Sequence, residues 1–91
     1  MRYEPLETGE IVLSRAGRDR GRAFVVTEVL DADYVLLADG ALRTLNRPKK
    51  KKRKHLLKAR TEARMELHAH LNDADIRKFL KAQGFENDRN E

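Results

Sequence analysis

The chain has 91 residues, of which 38% are charged, with a net charge of +5 and neither Cys nor Trp. This length suffices for one small core plus an appendage, and the lack of cysteine excludes disulfides, thiolate metal sites and cysteine nucleophiles. No apolar run approaches the roughly 18 residues of a membrane span, and the charged N-terminus lacks the pattern of a signal peptide, so we expect a cytoplasmic location.

The basic charge is concentrated in one segment. Residues 47–60 contain nine Lys and Arg side chains and no acid, which leaves eleven basic against fifteen acidic residues in the rest of the chain. Such a focused basic patch on an otherwise acidic protein indicates a specific anionic partner.

Four short β-prone runs fill the first half of the chain, over about residues 10–15, 23–30, 34–38 and 41–45. Asp39-Gly40 between the last two predicts a two-residue type I′ hairpin. After Pro48 the basic run is expected to cross as an extended segment, with His55-Leu56-Leu57 as a closing fifth strand. The sequence therefore predicts a small five-stranded β-barrel over residues 9–58.

The pattern becomes helical after the predicted barrel. Ala63, Leu67 and Leu71 recur every four residues, which predicts a first short helix from about Arg60. A second helix is predicted over about residues 73–83, with Asn72 as N-cap and Gly84 as the C′ residue. Residues 59–84 thus form a predicted helical appendage, and residues 85–91 a flexible tail. The apolar faces of the helices either cap the barrel or contact a partner.

The first β-prone run and its turn resemble the KOW motif, which combines glycines, an acid, valine and a basic residue at set spacings. The matching residues are Gly9, Glu10, Val12, Gly17, Arg20 and Gly21. Ser14 departs from the pattern, because an apolar residue is usual there. Residues 16–19, 37–40, Arg43, 48–52 and His55-Leu56 extend the resemblance to KOW-containing ribosomal proteins of the archaeal and eukaryotic large subunit and their small bacterial relatives.

The resemblance implies an SH3-like barrel that binds RNA, often ribosomal RNA, through the first loop and neighbouring basic strands. The basic residue types also favour RNA binding, because arginine suits bidentate phosphate contacts and lysine acts on phosphate as a point charge. The candidate RNA-binding residues are Arg15, Arg18, Asp19, Arg20, Arg22, Arg43, Arg47, Lys49, Lys50, Lys51, Lys52, Arg53, Lys54 and His55. The candidate structural turn residues are Gly17, Gly21, Asp39 and Gly40.

Each candidate has a simpler interpretation. The glycines serve folding of the turn. An extended chain can place Arg18, Arg20 and Arg22 on one face, and the simpler interpretation is that they belong to a solvated turn. Asp19 can orient a neighbouring arginine. The lysine run has as alternatives a solvated loop and a chance likeness to a nuclear localisation signal. His55 reaches a phosphate or 2′-hydroxyl, or packs at the barrel edge.

We expect no enzyme activity, cofactor or metal site. Ser14 is the only serine and lies in a strand pattern, and His68 and His70 point to different sides of a helix. The favoured function is an RNA-binding protein of the translation apparatus, with ribosomal proteins as further possible partners and neither a membrane nor a small-molecule substrate. The alternative is a KOW module that docks on protein in a transcription or ribosome-associated complex. A DNA-binding helix-turn-helix in the tail is disfavoured by Asp73 and Asp75.

Overall fold

The β-prone runs form a five-stranded antiparallel sheet in the computed structural model, which describes residues 3–87. The strands are β1 (Ile11–Ser14), β2 (Ala23–Val29), β3 (Tyr34–Ala38), β4 (Lys49–Lys52) and β5 (Leu56–Lys58). Their order is β4-β3-β2-β1-β5. Short 3₁₀ turns, Gly17–Asp19 and Arg53–His55, follow β1 and β4. The predicted mainly β fold is therefore confirmed.

Both faces of the sheet are buried. One face carries a cluster, here called the inner core, of Leu6, Val12, Phe24, Val26, Val35, Leu37 and Leu56. The other face carries the outer core, of Ile11, Ala23, Val25, Ala38, Ala59, Ile76 and Leu80. Because successive side chains of a strand point to opposite faces, β2 is buried at every position from Ala23 to Val26. Its continuous apolar run, rather than an alternation, reflects this two-sided burial.

The predicted type I′ hairpin at Asp39-Gly40, with its strand over residues 41–45, is wrong. Among the described residues only glycines have positive φ, so Asp39 does not adopt the conformation that the turn requires. Its carboxylate Oδ1 instead accepts hydrogen bonds from the backbone N–H of Ala41 and Arg43, at 3.0 and 2.9 Å. These bonds hold residues 39–43 as a loop, and the lysine run supplies β4 in place of the predicted strand.

The first predicted helix is also wrong, because residues 61–67 are extended. Ala63, Met65 and Leu67 are half-buried, whereas the residues between them are exposed. The Met65 N–H donates to the Gly9 carbonyl oxygen at 2.9 Å. The apolar residues fit a period of two as well as a period of four, and this backbone bond to the segment that precedes β1 favours the extended form.

The second predicted helix is confirmed as α1 (Asp73–Ala82). Asn72 and Asp75 form a capping box, in which each side chain accepts a hydrogen bond from the backbone N–H of the other, at 2.9 and 3.1 Å. Gly84 follows the helix with a φ of 85°, in the left-handed region that helix C-termini favour. Nowhere in residues 3–87 is a helix long and apolar enough to cross a membrane.

The C-terminal segment packs on the sheet, which resolves the choice left open by the sequence. Ile76 and Leu80 are buried in the outer core, and Leu67 and Phe79 pack against it. Residues 85–87, which the sequence places in a flexible tail, are also bonded: the Asn87 side chain donates to and accepts from the backbone of Ala23, both at 2.9 Å. The remaining tail, residues 88–91, lies outside the described residues.

Candidate nucleic-acid interface

The turn between β1 and β2 presents three exposed arginines, Arg15, Arg18 and Arg20. Gly17 and Gly21 bracket it with φ values of 75° and 88°, a region that glycine enters without a steric penalty. The Gly21 N–H donates to the Ser14 carbonyl oxygen at 2.8 Å and closes the turn. Residues 15–20, here called the arginine loop, therefore present their charges from an ordered backbone.

Arg22 does not belong to this exposed set, contrary to the sequence prediction. Its guanidinium contacts Asp39 Oδ2 through Nη2 at 2.6 Å and through Nε at 3.2 Å. The side chains are only 9% and 0% exposed. The 3₁₀ turn at Gly17–Asp19 breaks the strict alternation of an extended chain, so Arg22 faces inward while Arg18 and Arg20 face solvent. Arg22 is thus a buried structural cation.

Asp19 is the buried member of the arginine loop and orients an arginine, although not one of its neighbours in sequence. Its Oδ2 accepts from Arg43 Nη2 at 3.2 Å, and the Arg43 side chain remains about one-third exposed. Arg43 Nε is buried and has no hydrogen-bond partner among the described residues. The pair holds the loop after β3 against the arginine loop, and Asp19 itself is too buried to contact a ligand.

The lysine run is an edge strand rather than a solvated loop. In β4, Lys50 and Lys52 are exposed whereas Lys49 and Lys51 are half-buried. Lys52 pairs with Tyr34 across the strands, and the ammonium groups of Lys50 and Lys52 lie 4.7 and 5.9 Å from the Tyr34 ring centroid. Both distances fall within the range of cation–π attraction. The run therefore presents its exposed charges at the spacing of a strand.

Lys51 joins the strand to the arginine loop. Its Nζ donates to the Ala16 carbonyl oxygen at 3.1 Å. The backbone adds a second link, because the Arg15 N–H donates to the His55 carbonyl oxygen at 2.8 Å. Two basic segments that are distant in sequence are therefore held side by side, and one lysine of the run is engaged in holding them there.

Arg53 is buried, which corrects its assignment as an RNA contact. Its Nε donates to the Glu4 carbonyl oxygen at 2.8 Å and its Nη1 to the Leu56 carbonyl oxygen at 2.9 Å. Burial lowers the pKa of the guanidinium, and the nearby Glu4 carboxylate acts in the opposite direction. Arg53 thus satisfies backbone carbonyls where β4 passes into β5, in a 3₁₀ turn whose tight backbone points it inward.

Fewer of the candidate residues are exposed than the sequence predicts, and the exposed set with its margin is here called the basic surface. Its exposed members are Arg15, Arg18, Arg20, Arg47, Lys50, Lys52 and Lys54. Half-buried residues at its margin are Arg43, Lys49, Lys51 and His55. Tyr34 was missed in the sequence, although its position opposite the lysine strand follows once β4 is assigned.

Comparison with protein-family models finds no match for this chain, and comparison with curated proteins finds none either.

Proposed function

We propose that this chain is a KOW-type, SH3-like barrel that binds structured RNA, ribosomal RNA being the favoured class, through the basic surface. One observation carries the proposal: the arginine loop is hydrogen-bonded to the lysine strand through Lys51 and Ala16. The loop supplies positioned guanidinium groups and the strand supplies ammonium groups. A phosphate backbone that runs from the loop to the strand would meet both kinds of cation.

The strand order supports the barrel. β1 pairs with both β2 and β5, and the 3₁₀ turn between β4 and β5 bonds to residues beside β3 and β1. The Arg53 N–H donates to the Asp33 carbonyl oxygen at 2.7 Å, and the His55 carbonyl oxygen accepts from Arg15. These bonds bring the connection between the two edge strands against the middle of the sheet, which supports the proposal of a small barrel.

Recognition through phosphates suits folded RNA. Phosphate contacts fix position and supply affinity without reading the sequence directly, and double-stranded RNA is recognised mainly by shape and backbone because its major groove is narrow. The protein-docking alternative loses one of its supports, because the apolar faces of the C-terminal segment are occupied by the outer core.

A salt titration of RNA binding tests the proposal. The Lys50→Gln/Lys52→Gln variant is expected to bind all structured RNAs more weakly, with a log–log salt slope reduced by roughly one unit for each phosphate that the variant no longer neutralises. Its matched control is Lys78→Gln/Lys81→Gln, which removes the same charge from exposed positions of α1. The control is expected to retain most of the slope and affinity.

Two RNAs are needed, a structured ribosomal fragment and an unrelated duplex. Equal losses of affinity and salt slope in the two variants would show that only net charge matters. That result would contradict the assignment of RNA binding to the basic surface. A wild-type protein that binds neither RNA at low salt would overturn RNA binding itself and favour docking on protein.

A further inference from the structure

A groove of about 700 Å³ opens beside the basic surface, between the N-terminal segment and the turn that joins β2 to β3. Its lining includes Tyr3, Val29, Asp33, Tyr34, Lys52 and Lys54. Pockets of roughly 300 to 1,000 Å³ accommodate small molecules, so the groove has room for a single nucleotide. Lys52 and Lys54 belong to both the groove and the basic surface, which makes the two continuous.

Both tyrosine rings of the groove already carry a cation of the protein. The Arg53 guanidinium lies 5.3 Å from the Tyr3 ring centroid, and Lys50 lies 4.7 Å from that of Tyr34. A cationic ligand would therefore meet like charge at each ring. A nucleobase is uncharged and flat, so it can stack on a tyrosine ring or on a guanidinium plane.

Acidic residues determine which part of a nucleotide can enter. Glu4, Asp31 and Asp33 also line the groove, and their carboxylates repel a phosphate that approaches them. Lys52 and Lys54 attract the phosphate instead. The phosphate is therefore expected on the lysine side of the groove, which adjoins the basic surface, and only the uncharged base can approach the acidic side.

The groove is held in shape before any ligand arrives. Asp31 Oδ1 accepts from the N–H groups of Asp33 and Tyr34, at 2.8 and 2.9 Å. These bonds fix the turn that carries Tyr34. Arg53, beneath Tyr3, is fixed in turn by its bonds to two backbone carbonyls. A preformed site binds without the entropic cost of ordering its own residues.

We propose that this groove receives one unpaired base of the bound RNA, which stacks against the Tyr34 ring in place of a lysine ammonium, with Tyr3 lining the same groove. The inference rests on the proposed function, since the phosphates on either side of that base lie on the basic surface. It adds a preference that the phosphate contacts lack: a helix interrupted by an unpaired nucleotide is favoured over a continuous one.

The test uses one RNA hairpin in three forms: fully paired, with a single-adenosine bulge, and with the same bulge lacking its base. The third form keeps every phosphate and removes only the stacking partner. Wild type is expected to bind the adenosine bulge between about five-fold and a hundred-fold more tightly than the abasic bulge. Tyr34→Leu and Tyr3→Leu are expected to reduce that ratio, and Tyr34→Leu to abolish it.

Tyr34→Phe and Tyr3→Phe are the matched controls, because they retain the ring and are expected to retain the ratio. The bulge affinities of each variant are compared with its own affinity for the fully paired hairpin, and thermal unfolding checks that all four variants fold. Equal affinity of wild type for adenosine and abasic bulges, with the paired hairpin still bound, would overturn the groove assignment and leave RNA binding intact. No binding of any hairpin would refute the proposed function instead. Tyrosine ring resonances that shift with an arginine-rich peptide but not with the bulged RNA would overturn the assignment in favour of a protein ligand.

Discussion

Burial separates arginines that look equivalent in the sequence. Arg18 and Arg20 are exposed on the arginine loop, whereas Arg22, two positions further, is ion-paired with Asp39 inside the protein. Arg22 directly precedes the buried start of β2, so its backbone is already committed to the core. A guanidinium in that place needs a carboxylate partner, because an unpaired buried charge is strongly destabilising.

The Arg22→Met variant is accordingly expected to lose about 3 to 5 kcal/mol of unfolding free energy, since it leaves the Asp39 carboxylate buried without its cation. Arg20→Met is the matched control and is expected to stay within about 0.5 kcal/mol of wild type, because Arg20 is exposed. Urea denaturation measures both. A fully stable Arg22→Met protein with weakened RNA binding would return Arg22 to the RNA-contact set.

At the scale of elements, the loop after β3 and the start of α1 meet at Gly40. The Leu45 N–H donates to Asp73 Oδ1 at 2.8 Å, and Arg77 donates to the Gly40 carbonyl oxygen. A Cβ on Gly40 would overlap the Asp73 carbonyl oxygen, which is backbone and cannot swing aside. This close approach explains a glycine where the predicted hairpin turn is absent.

Two glycine-to-alanine substitutions separate backbone strain from steric overlap. Gly21 and Gly40 have similar φ values, 88° and 79°, but the space around Gly21 is open. Gly21→Ala is expected to lose about 1 to 2 kcal/mol from the left-handed backbone alone. Gly40→Ala is expected to lose more, because α1 must also shift away from the loop. Thermal unfolding compares the two, and equal losses would show that α1 does not press on Gly40.

At the scale of the whole molecule, the two hydrophobic cores hold in place the elements that carry the basic surface. The inner core lies under one face of the sheet, and α1 with the extended residues 61–67 covers the other. The arginine loop and β4 are bonded to each other above this framework. Their relative positions are therefore set by the fold, although the two segments are far apart in the sequence.

This rigidity predicts different effects for the two kinds of cation. Arg18→Gln/Arg20→Gln is expected to reduce the preference for a structured ribosomal RNA fragment over a random RNA, because a positioned guanidinium favours a particular phosphate arrangement. Lys50→Gln/Lys52→Gln is expected to weaken binding of both RNAs by the same factor. Competition binding at fixed salt gives the ratio of affinities. An unchanged ratio in the arginine variant would assign both groups the same nonspecific role.

The sequence by itself determined the features that local chemistry controls. Strand propensity located β1, β2 and β3, and the Asn72 cap with its apolar spacing located α1. Gly17 and Gly21 were recognised as turn residues, and the concentration of basic charge in residues 47–60 follows from counting. These features depend on neighbours a few positions away, so a short window contains the information.

Only the tertiary structure decided which basic residues are available. Arg22 and Asp39 are 17 positions apart, and Arg53 bonds to Glu4, 49 positions away; neither partner is marked in the local sequence. The extended form of residues 61–67 likewise depends on the contact between Met65 and Gly9. A pattern that fits both a helix and a strand is resolved by the surface on which it packs, and that surface exists only once the sheet has formed.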